Sequence, residues 1–226
     1  MVSSQSKEDL ARYLQAASVL RTRRIIDAFM AIDRKDFLRP EDEDDAYRDE
    51  PISIGEGQTI SQPYTVAFML ELLNPQKGHV VLDAGAGSGW QTALLAYIVA
   101  GSAGGGKVYA FEGIAALSEF GRTNISKYTF IEKKAVFWQC GNASHPPEDV
   151  KFDRIIAGAS IHCGEKNKLQ CIPPAWIKQL RDGGIIVVPL GSSLWRFIKR
   201  SEGDFEYESY PGFLFVPFYG NRTDGI

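Results

Sequence analysis

Hydrophobic residues recur with a helical period at the start of the chain and in alternating strand and helix segments later. Leu10 and Leu14 follow the sequence SKED (residues 6–9), which is typical of a capping box at a helix start. Residues 25–30 repeat the helical spacing and predict a second helix. From residue 79 onward, strands alternate with helices, and this order predicts a mostly parallel sheet covered on both faces.

The same alternation predicts the position of each element. Pro63 suits the first turn of a helix, and residues 39–51 are predicted to form a solvent-exposed acidic loop. Residues 1–50 are predicted to form a helical extension to a single α/β domain at 51–226. Ligands of such a domain bind at the carboxyl ends of the strands. We expect strands at residues 79–85, 107–112, 135–141, 152–159 and 183–191, helices at 90–100, 113–127 and 174–182, and late antiparallel strands at 194–201 and 205–218.

Composition narrows the class of protein. The net charge of −3 argues against a nucleic-acid partner, which usually requires a basic face. No apolar run reaches the length of a membrane span, and the first residues lack the apolar core of a signal peptide. The three cysteines form no disulfide framework, which predicts a reducing, cytoplasmic environment.

A glycine-rich turn follows the strand that begins at residue 79. The order Gly85-x-Gly87-x-Gly89 lacks the lysine of a phosphate-binding P-loop. The spacing also disfavours NAD without excluding it, because a dinucleotide fingerprint requires a small residue where Trp90 stands. Asp83 before the turn would repel a pyrophosphate but suits a ligand with an ammonium or sulfonium group. Together with Glu112 at the end of the next strand, it favours S-adenosylmethionine.

Longer segments resemble one methyltransferase family. The stretch GQTISQPYTVAFMLELL (57–73) is similar to the hallmark segment of protein-L-isoaspartate O-methyltransferases, and VLDAGAGSGWQTALLA (81–96) to their cofactor turn. The resemblance covers nearly the whole chain in order. It implies a Rossmann-like methyltransferase domain with late antiparallel strands. It also implies transfer of a methyl group from S-adenosylmethionine to the α-carboxylate of isoaspartyl residues in damaged proteins or peptides. The products would be S-adenosylhomocysteine and a methyl ester that begins repair through a succinimide, and we expect a monomer.

The resemblance also implies roles for individual residues. The Ser61 hydroxyl is expected near the methyl-accepting carboxylate, just before a helix N-terminus that suits an anion. Glu112 would take the ribose hydroxyls, and Gly141 and Asn142 would lie beside the adenine. No metal site is expected. The implied cofactor-binding residues are Asp83, Gly85, Gly87, Ser88, Glu112, Gly141 and Asn142, and the implied substrate-binding residues are Thr59, Ile60, Gln62, Pro63 and Ala159.

Two departures from the family pattern leave alternatives open. Asn142 stands where the family usually has aspartate, which predicts weaker cofactor binding. About nine extra residues lie within 158–172, after the fourth strand, where they are expected to border the substrate pocket. A carboxyl methyltransferase dedicated to one peptide and an inactive S-adenosylmethionine-binding protein therefore remain possible. His162, Cys163 and Cys171 are too loosely spaced for a good zinc site.

Overall fold

A computed structural model describes residues 6–100, 105–164, 167–201 and 203–218. Its central sheet has seven strands in the order β5-β4-β3-β6-β7-β8-β9. The first five of these pair in parallel, and β8 and β9 add antiparallel to one edge. The predicted parallel sheet with late antiparallel strands is therefore confirmed. The strands are β3 (Val80–Ala84), β4 (Lys107–Glu112), β5 (Val136–Cys140), β6 (Phe152–Ala157), β7 (Leu180–Leu190), β8 (Ser193–Ser201) and β9 (Asp204–Pro211).

Helices precede and flank this sheet. Pro63 begins α3, whose apolar residues are buried, and Ser6 accepts a 3.1 Å hydrogen bond from the Asp9 amide at the start of α1. Both predicted helix starts are thus confirmed. The α-helices are α1 (Lys7–Ala16), α2 (Arg23–Ala31), α3 (Pro63–Leu73), α4 (Trp90–Ala100), α5 (Ala115–Ser126) and α6 (Pro174–Gln179).

Two apolar clusters cover the two faces of the sheet. One joins α1, α2, α3 and α4 and includes the edge-on contact between Phe29 and Trp90, whose ring centroids are 5.5 Å apart. The other lies on the opposite face, where the fully buried Phe152, Trp176 and Phe197 belong to it. Burial on both faces explains why the parallel strands read as continuous apolar runs.

The segment between α2 and α3 differs most from the prediction. The acidic stretch contains a 3-10 helix, Pro40–Asp45, and a short antiparallel hairpin follows it, β1 (Ile52–Gly55) and β2 (Gln58–Ile60). The sequence analysis assigned an exposed loop to the first and nothing to the second. Short hydrogen-bonded turns and three-residue strands are set by contacts with the rest of the fold, which sequence periodicity does not report.

The expectation that no disulfide forms is wrong for two cysteines. Cys163 and Cys171 are bonded, with their Cα atoms 5.6 Å apart, while Cys140 is free and exposed. The physical reason is local, because a 3-10 turn at Lys168–Cys171 folds the inserted segment back on itself. Within the described ranges, no helix combines the length and the apolar character needed to cross a membrane.

Candidate active site

The carboxyl ends of β3, β4 and β6 surround a cavity of about 290 Å³. Backbone forms much of its floor, because Gly85 and Gly87 adopt φ angles of 80° and 55° that favour glycine. Gly158 follows β6, the strand next to β3, and a Cβ atom on Gly158 would lie 2.6 Å from the Gly85 carbonyl oxygen. The glycines therefore allow two chain segments to approach each other and leave backbone facing the cavity. We refer to residues 85–89 as the glycine turn.

Glu112 closes one side of this cavity with its carboxylate. Oε2 accepts a 2.9 Å hydrogen bond from the Gly87 amide, and Oε1 accepts a 2.8 Å bond from the Ile114 amide. Burial raises the pKa of Glu112, and these backbone donors oppose that rise. The Gly113 amide also contributes to lowering the pKa, and the carboxylate still lines the cavity, where it can accept from a ligand's hydroxyl group.

Asp83 lies beneath the glycine turn and does not line the cavity. Its side chain is fully buried, and its two oxygens accept bonds of 2.8 Å from Gln91 Nε2 and 2.6 Å from Thr92 Oγ1. Burial raises the pKa of Asp83 to about 6. The carboxylate thus supports the turn through the first residues of α4. Its predicted contact with the cofactor stays a prediction that this geometry does not favour.

Asn142 stands at the opposite end of the same cavity. Its Oδ1 accepts a 2.8 Å hydrogen bond from the Ser144 amide, and Trp176 Nε1 donates 2.7 Å to the Ala143 carbonyl. This loop is therefore held by its own side chain and by the indole of α6. The Asn142 amide oxygen is already engaged, which limits what it offers to a ligand.

Ser61 lies in the two-residue junction between β2 and α3, which we call the Ser61 junction (Ser61 and Gln62). It lines a second cavity of about 310 Å³ and a small one of about 40 Å³. Thr59 and Gly158 line both of these and also the cavity at the glycine turn. The three spaces are therefore neighbours, and the Ser61 side chain lies where a molecule in one could meet a molecule in another.

Two residues of the acidic connector hold this region, and the sequence analysis missed both. Asp49 accepts 2.8 Å from the Tyr64 amide in the first turn of α3 and 3.1 Å from Gln62 Nε2. Arg39 donates 2.9 Å to the Ile54 carbonyl in the hairpin. The connector had no apolar period that could mark these residues, so charge alone suggested a solvated loop.

Among the described residues, the loop that carries the insertion (158–172) borders the site at its start, before the extra residues near 161–170. Ala159 lines the cavity at the glycine turn, and Ser160 pairs through its backbone with Val216 and Phe218, which line it too. Farther along, Leu169 and its neighbours line a separate groove that shares no residue with the cavities around Ser61. Within the described ranges, the loop therefore borders these cavities at Gly158 and Ala159, while the extra residues near 161–170 line none of them, which differs from the expectation.

The structure brings most predicted site residues together. Ile60, Ser61 and Ser88 line the small cavity, Gln62 lines the second, and Pro63 is buried at the start of α3 without lining any of them. No group of three or more metal-binding side chains occurs among the described residues. The individual roles remain predictions. The predicted residues that line the cavity at the glycine turn are Thr59, Gly85, Gly87, Glu112, Gly141, Asn142 and Ala159.

The sheet, the glycine turn and the acid after the next strand define a Rossmann-like methyltransferase. A Plasmodium falciparum structure described as a protein-L-isoaspartate O-methyltransferase in complex with S-adenosylhomocysteine matches with a TM-score of 0.81 at 21% identity, covering 96% of this chain and 100% of that one. A second structure named protein-L-isoaspartate O-methyltransferase matches with a TM-score of 0.79 at 25% identity, covering 96% and 67%.

Comparison with related sequences identifies the family. The family model for protein-L-isoaspartate(D-aspartate) O-methyltransferase matches residues 5–223. The protein-L-isoaspartate O-methyltransferase of Methanopyrus kandleri is 34% identical, with 98% of this chain and 94% of the relative covered. That of Staphylothermus marinus is 37% identical, with 92% and 91% covered. The chain belongs to the protein-L-isoaspartate(D-aspartate) O-methyltransferase family, as its sequence motifs predicted.

Proposed function

We propose that this protein transfers a methyl group from S-adenosylmethionine to the α-carboxylate of L-isoaspartyl residues in proteins or peptides. The observation that carries the proposal is the position of Ser61. It lies in a cavity that shares Thr59 and Gly158 with the cavity at the glycine turn. The family match supports this activity over an oxidoreductase or a binding protein without activity.

The residues around the first cavity fit S-adenosylmethionine. Gly85 and Gly87 present backbone, Glu112 places a carboxylate where ribose hydroxyls can donate to it, and Ile114 and Phe218 add apolar surface. When bound, the cofactor supplies a methyl group on a positively charged sulfur. A cavity with a carboxylate at one end and apolar walls suits a molecule of this kind.

The chemistry needs alignment more than acid or base. An α-carboxylate has a pKa of about 3 to 4 and is already ionised at neutral pH, so no side chain has to remove a proton. The chain must hold one carboxylate oxygen in line with the methyl group and exclude water. Ser61 donates to that carboxylate from its position just before α3.

The product supports a role in repair. A methyl ester is a better electrophile than a carboxylate, because methanol can leave from its carbonyl carbon. The neighbouring backbone nitrogen attacks that carbon, its proton leaves with methoxide as methanol, and a succinimide ring closes without further catalysis. Hydrolysis of that ring returns part of the material as normal aspartate. We extend the proposal to a cytoplasmic monomer that acts on isoaspartyl proteins or peptides, with no nucleic-acid or membrane partner. A reducing compartment would open the Cys163–Cys171 disulfide to two thiols.

One experiment tests the proposed activity. Two short peptides, identical except for an isoaspartyl or aspartyl linkage, are incubated with the protein and methyl-labelled S-adenosylmethionine. We expect label only in the isoaspartyl peptide. Clear binding of S-adenosylhomocysteine with no transfer to either peptide would contradict the substrate and leave the dedicated-peptide alternative.

Ser61→Ala tests the role of the hydroxyl. We expect kcat for the isoaspartyl peptide to fall about 100-fold, which is typical of losing one well-placed donor. The affinity for S-adenosylhomocysteine, measured by calorimetry, should change less than threefold, because Ser61 does not line the cavity at the glycine turn. Equal kcat in the two proteins would remove Ser61 from the reaction.

A further inference from the structure

Arg34 is a buried cation at the first position of a 3-10 helix, Arg34–Phe37. Its side chain is 2% exposed, and its guanidinium donates to four backbone carbonyls. Nη1 bonds Ala46 at 2.8 Å and Arg48 at 3.2 Å, and Nη2 bonds Glu50 at 2.9 Å and Ser61 at 3.2 Å. One side chain therefore ties the acidic connector to the residue expected to meet the substrate.

The Ser61 junction has few local contacts of its own. β2 ends at Ile60 and α3 begins at Pro63, which has no amide hydrogen to donate. The Ser61 hydroxyl makes no hydrogen bond to any other described residue, so nothing local fixes its direction. The backbone carbonyl of Ser61 is held by Arg34, while the helix start beyond it is held by Asp49.

From this arrangement we propose that Arg34 is a positioning residue for methyl transfer. It acts by fixing the Ser61 backbone so that the hydroxyl points at the substrate carboxylate. The inference rests on the proposed function of Ser61. Arg34 does not touch the reacting atoms, and it acts through the carbonyl of the residue that does.

Arginine suits this task better than any other side chain. Its planar guanidinium presents several donors at fixed angles, so it can serve four carbonyls at once, which a lysine ammonium cannot do in one geometry. The Trp90 ring packs beside it, with the guanidinium carbon 5.3 Å from the ring centroid. Burying a charge is costly unless it is well bonded. Removing Arg34 thus leaves carbonyls in several segments without their donor.

A role limited to stability would have a different signature. Arg154 offers the comparison, because its side chain also bonds backbone carbonyls, at Leu73 and Asp153, both at 2.7 Å. It stands near the start of β6, at the opposite end of the sheet from the glycine turn. Its loss should destabilise the protein without changing the kinetics of the molecules that remain folded.

A double-mutant cycle tests the proposal with full-length protein and the isoaspartyl peptide. The variants are Arg34→Met, Ser61→Ala and the two combined, with Arg154→Met as the control. We expect about a 100-fold loss of kcat in each single variant at Arg34 and Ser61, and about the same loss in the double variant, because both remove one contact. S-adenosylhomocysteine affinity should stay within threefold throughout, and Arg154→Met should keep the kcat of wild type.

The outcomes separate the two ideas. Losses that multiply to about 10,000-fold in the double variant would overturn the positioning role, because the two residues would then act independently. A wild type that methylates neither peptide would overturn the proposed function, and the positioning role with it. If Arg34→Met does not fold, Arg34→Lys replaces it in the cycle. A kcat for Arg34→Lys equal to that of wild type would show that the four-way bonding is not needed.

Discussion

The two halves of the candidate site are built differently. The glycine turn is held by regular elements beside it, since Glu112 at the end of β4 bonds the turn and Asp83 at the end of β3 bonds the start of α4. The Ser61 junction is held by Arg34 from a short 3-10 helix and by Asp49 from the acidic connector. The geometry of the glycine turn is therefore fixed once the parallel sheet has formed. The geometry of the Ser61 junction depends on segments that no strand or helix pattern specifies.

Of the changes considered, Gly121→Ala should have the largest effect, because it distorts the glycine turn and the cavity beside it. Gly121 in α5 packs against the turn, and a Cβ atom there would lie 2.4 Å from the Gly87 carbonyl oxygen and 2.6 Å from the Trp138 ring. Because backbone cannot move aside cheaply, we expect a loss of about 4 kcal/mol in unfolding free energy. S-adenosylhomocysteine should bind at least tenfold more weakly by calorimetry.

Gly164→Ala is the matched control for that change. No atom of the described residues lies within 4 Å of a Cβ atom at Gly164, and its backbone φ lies outside the range that L side chains avoid. Urea unfolding should therefore differ from wild type by less than about 0.5 kcal/mol. Equal stability of Gly121→Ala and Gly164→Ala would show that α5 does not press on the turn.

The difference between the glycine turn and the Ser61 junction explains which parts of the site could be predicted from the sequence alone. Alternating strand and helix periods predicted the sheet, α4 and the glycine turn, because these depend on local patterns. Glu112 was found because its position at a strand end follows from the same pattern. The hydrogen bonds of Arg34 and Asp49 join residues far apart in sequence through backbone carbonyls and amides. Such contacts leave no period, and a charged stretch looks the same whether it faces solvent or supports a site.

The disulfide was missed for a related reason. The spacing of Cys163 and Cys171 alone does not report whether the chain between them folds back, and the 3-10 turn that precedes Ile172 shows no hydrophobic period in the sequence. The tertiary setting of Asp83 was missed as well. Its place at the end of a strand suggested contact with a ligand, whereas Gln91 and Thr92 occupy both of its oxygens.

Asp83→Asn sharpens the comparison through pH. Burial raises the pKa of Asp83 from 3.8 to about 6, so the folded protein binds this proton more tightly than the unfolded chain does. The resulting stability is fully present below pH 4 and is lost as the pH rises through 6. Between pH 4 and 7, the stability of the variant should therefore gain about 2 kcal/mol relative to wild type. Urea unfolding of both proteins across that range measures the difference, and parallel pH curves would show that folding does not shift the pKa of Asp83.

Reduction of the Cys163–Cys171 disulfide tests whether the inserted segment contributes to substrate binding near Ser61. Opening a ring closed over a sequence separation of 8 residues should cost about 2 kcal/mol of stability in the chain-entropy account. The kcat and KM for the isoaspartyl peptide should change less than twofold, because Leu169 and its neighbours line a groove apart from Ser61. The double variant of both cysteines to serine is the control for the reductant itself. A large rise in KM would instead support a substrate that contacts the inserted segment.

Asn142→Asp should give the smallest effect, and in the opposite direction. An aspartate can still accept the hydrogen bond from the Ser144 amide, while its second oxygen replaces an amide nitrogen at the edge of the cavity. A charged acceptor binds a donor more strongly than a neutral one, but the side chain is exposed and water weakens the gain. We expect S-adenosylhomocysteine to bind about fivefold more tightly, roughly 1 kcal/mol. Asn142→Ala, which loses the bond to Ser144, should bind it more weakly than wild type.

Tighter binding only in the aspartate variant would mean that asparagine at position 142 lowers the affinity of the cavity for the cofactor product. Weaker binding there would mean that the Asn142 amide donates to the ligand, which an aspartate cannot do.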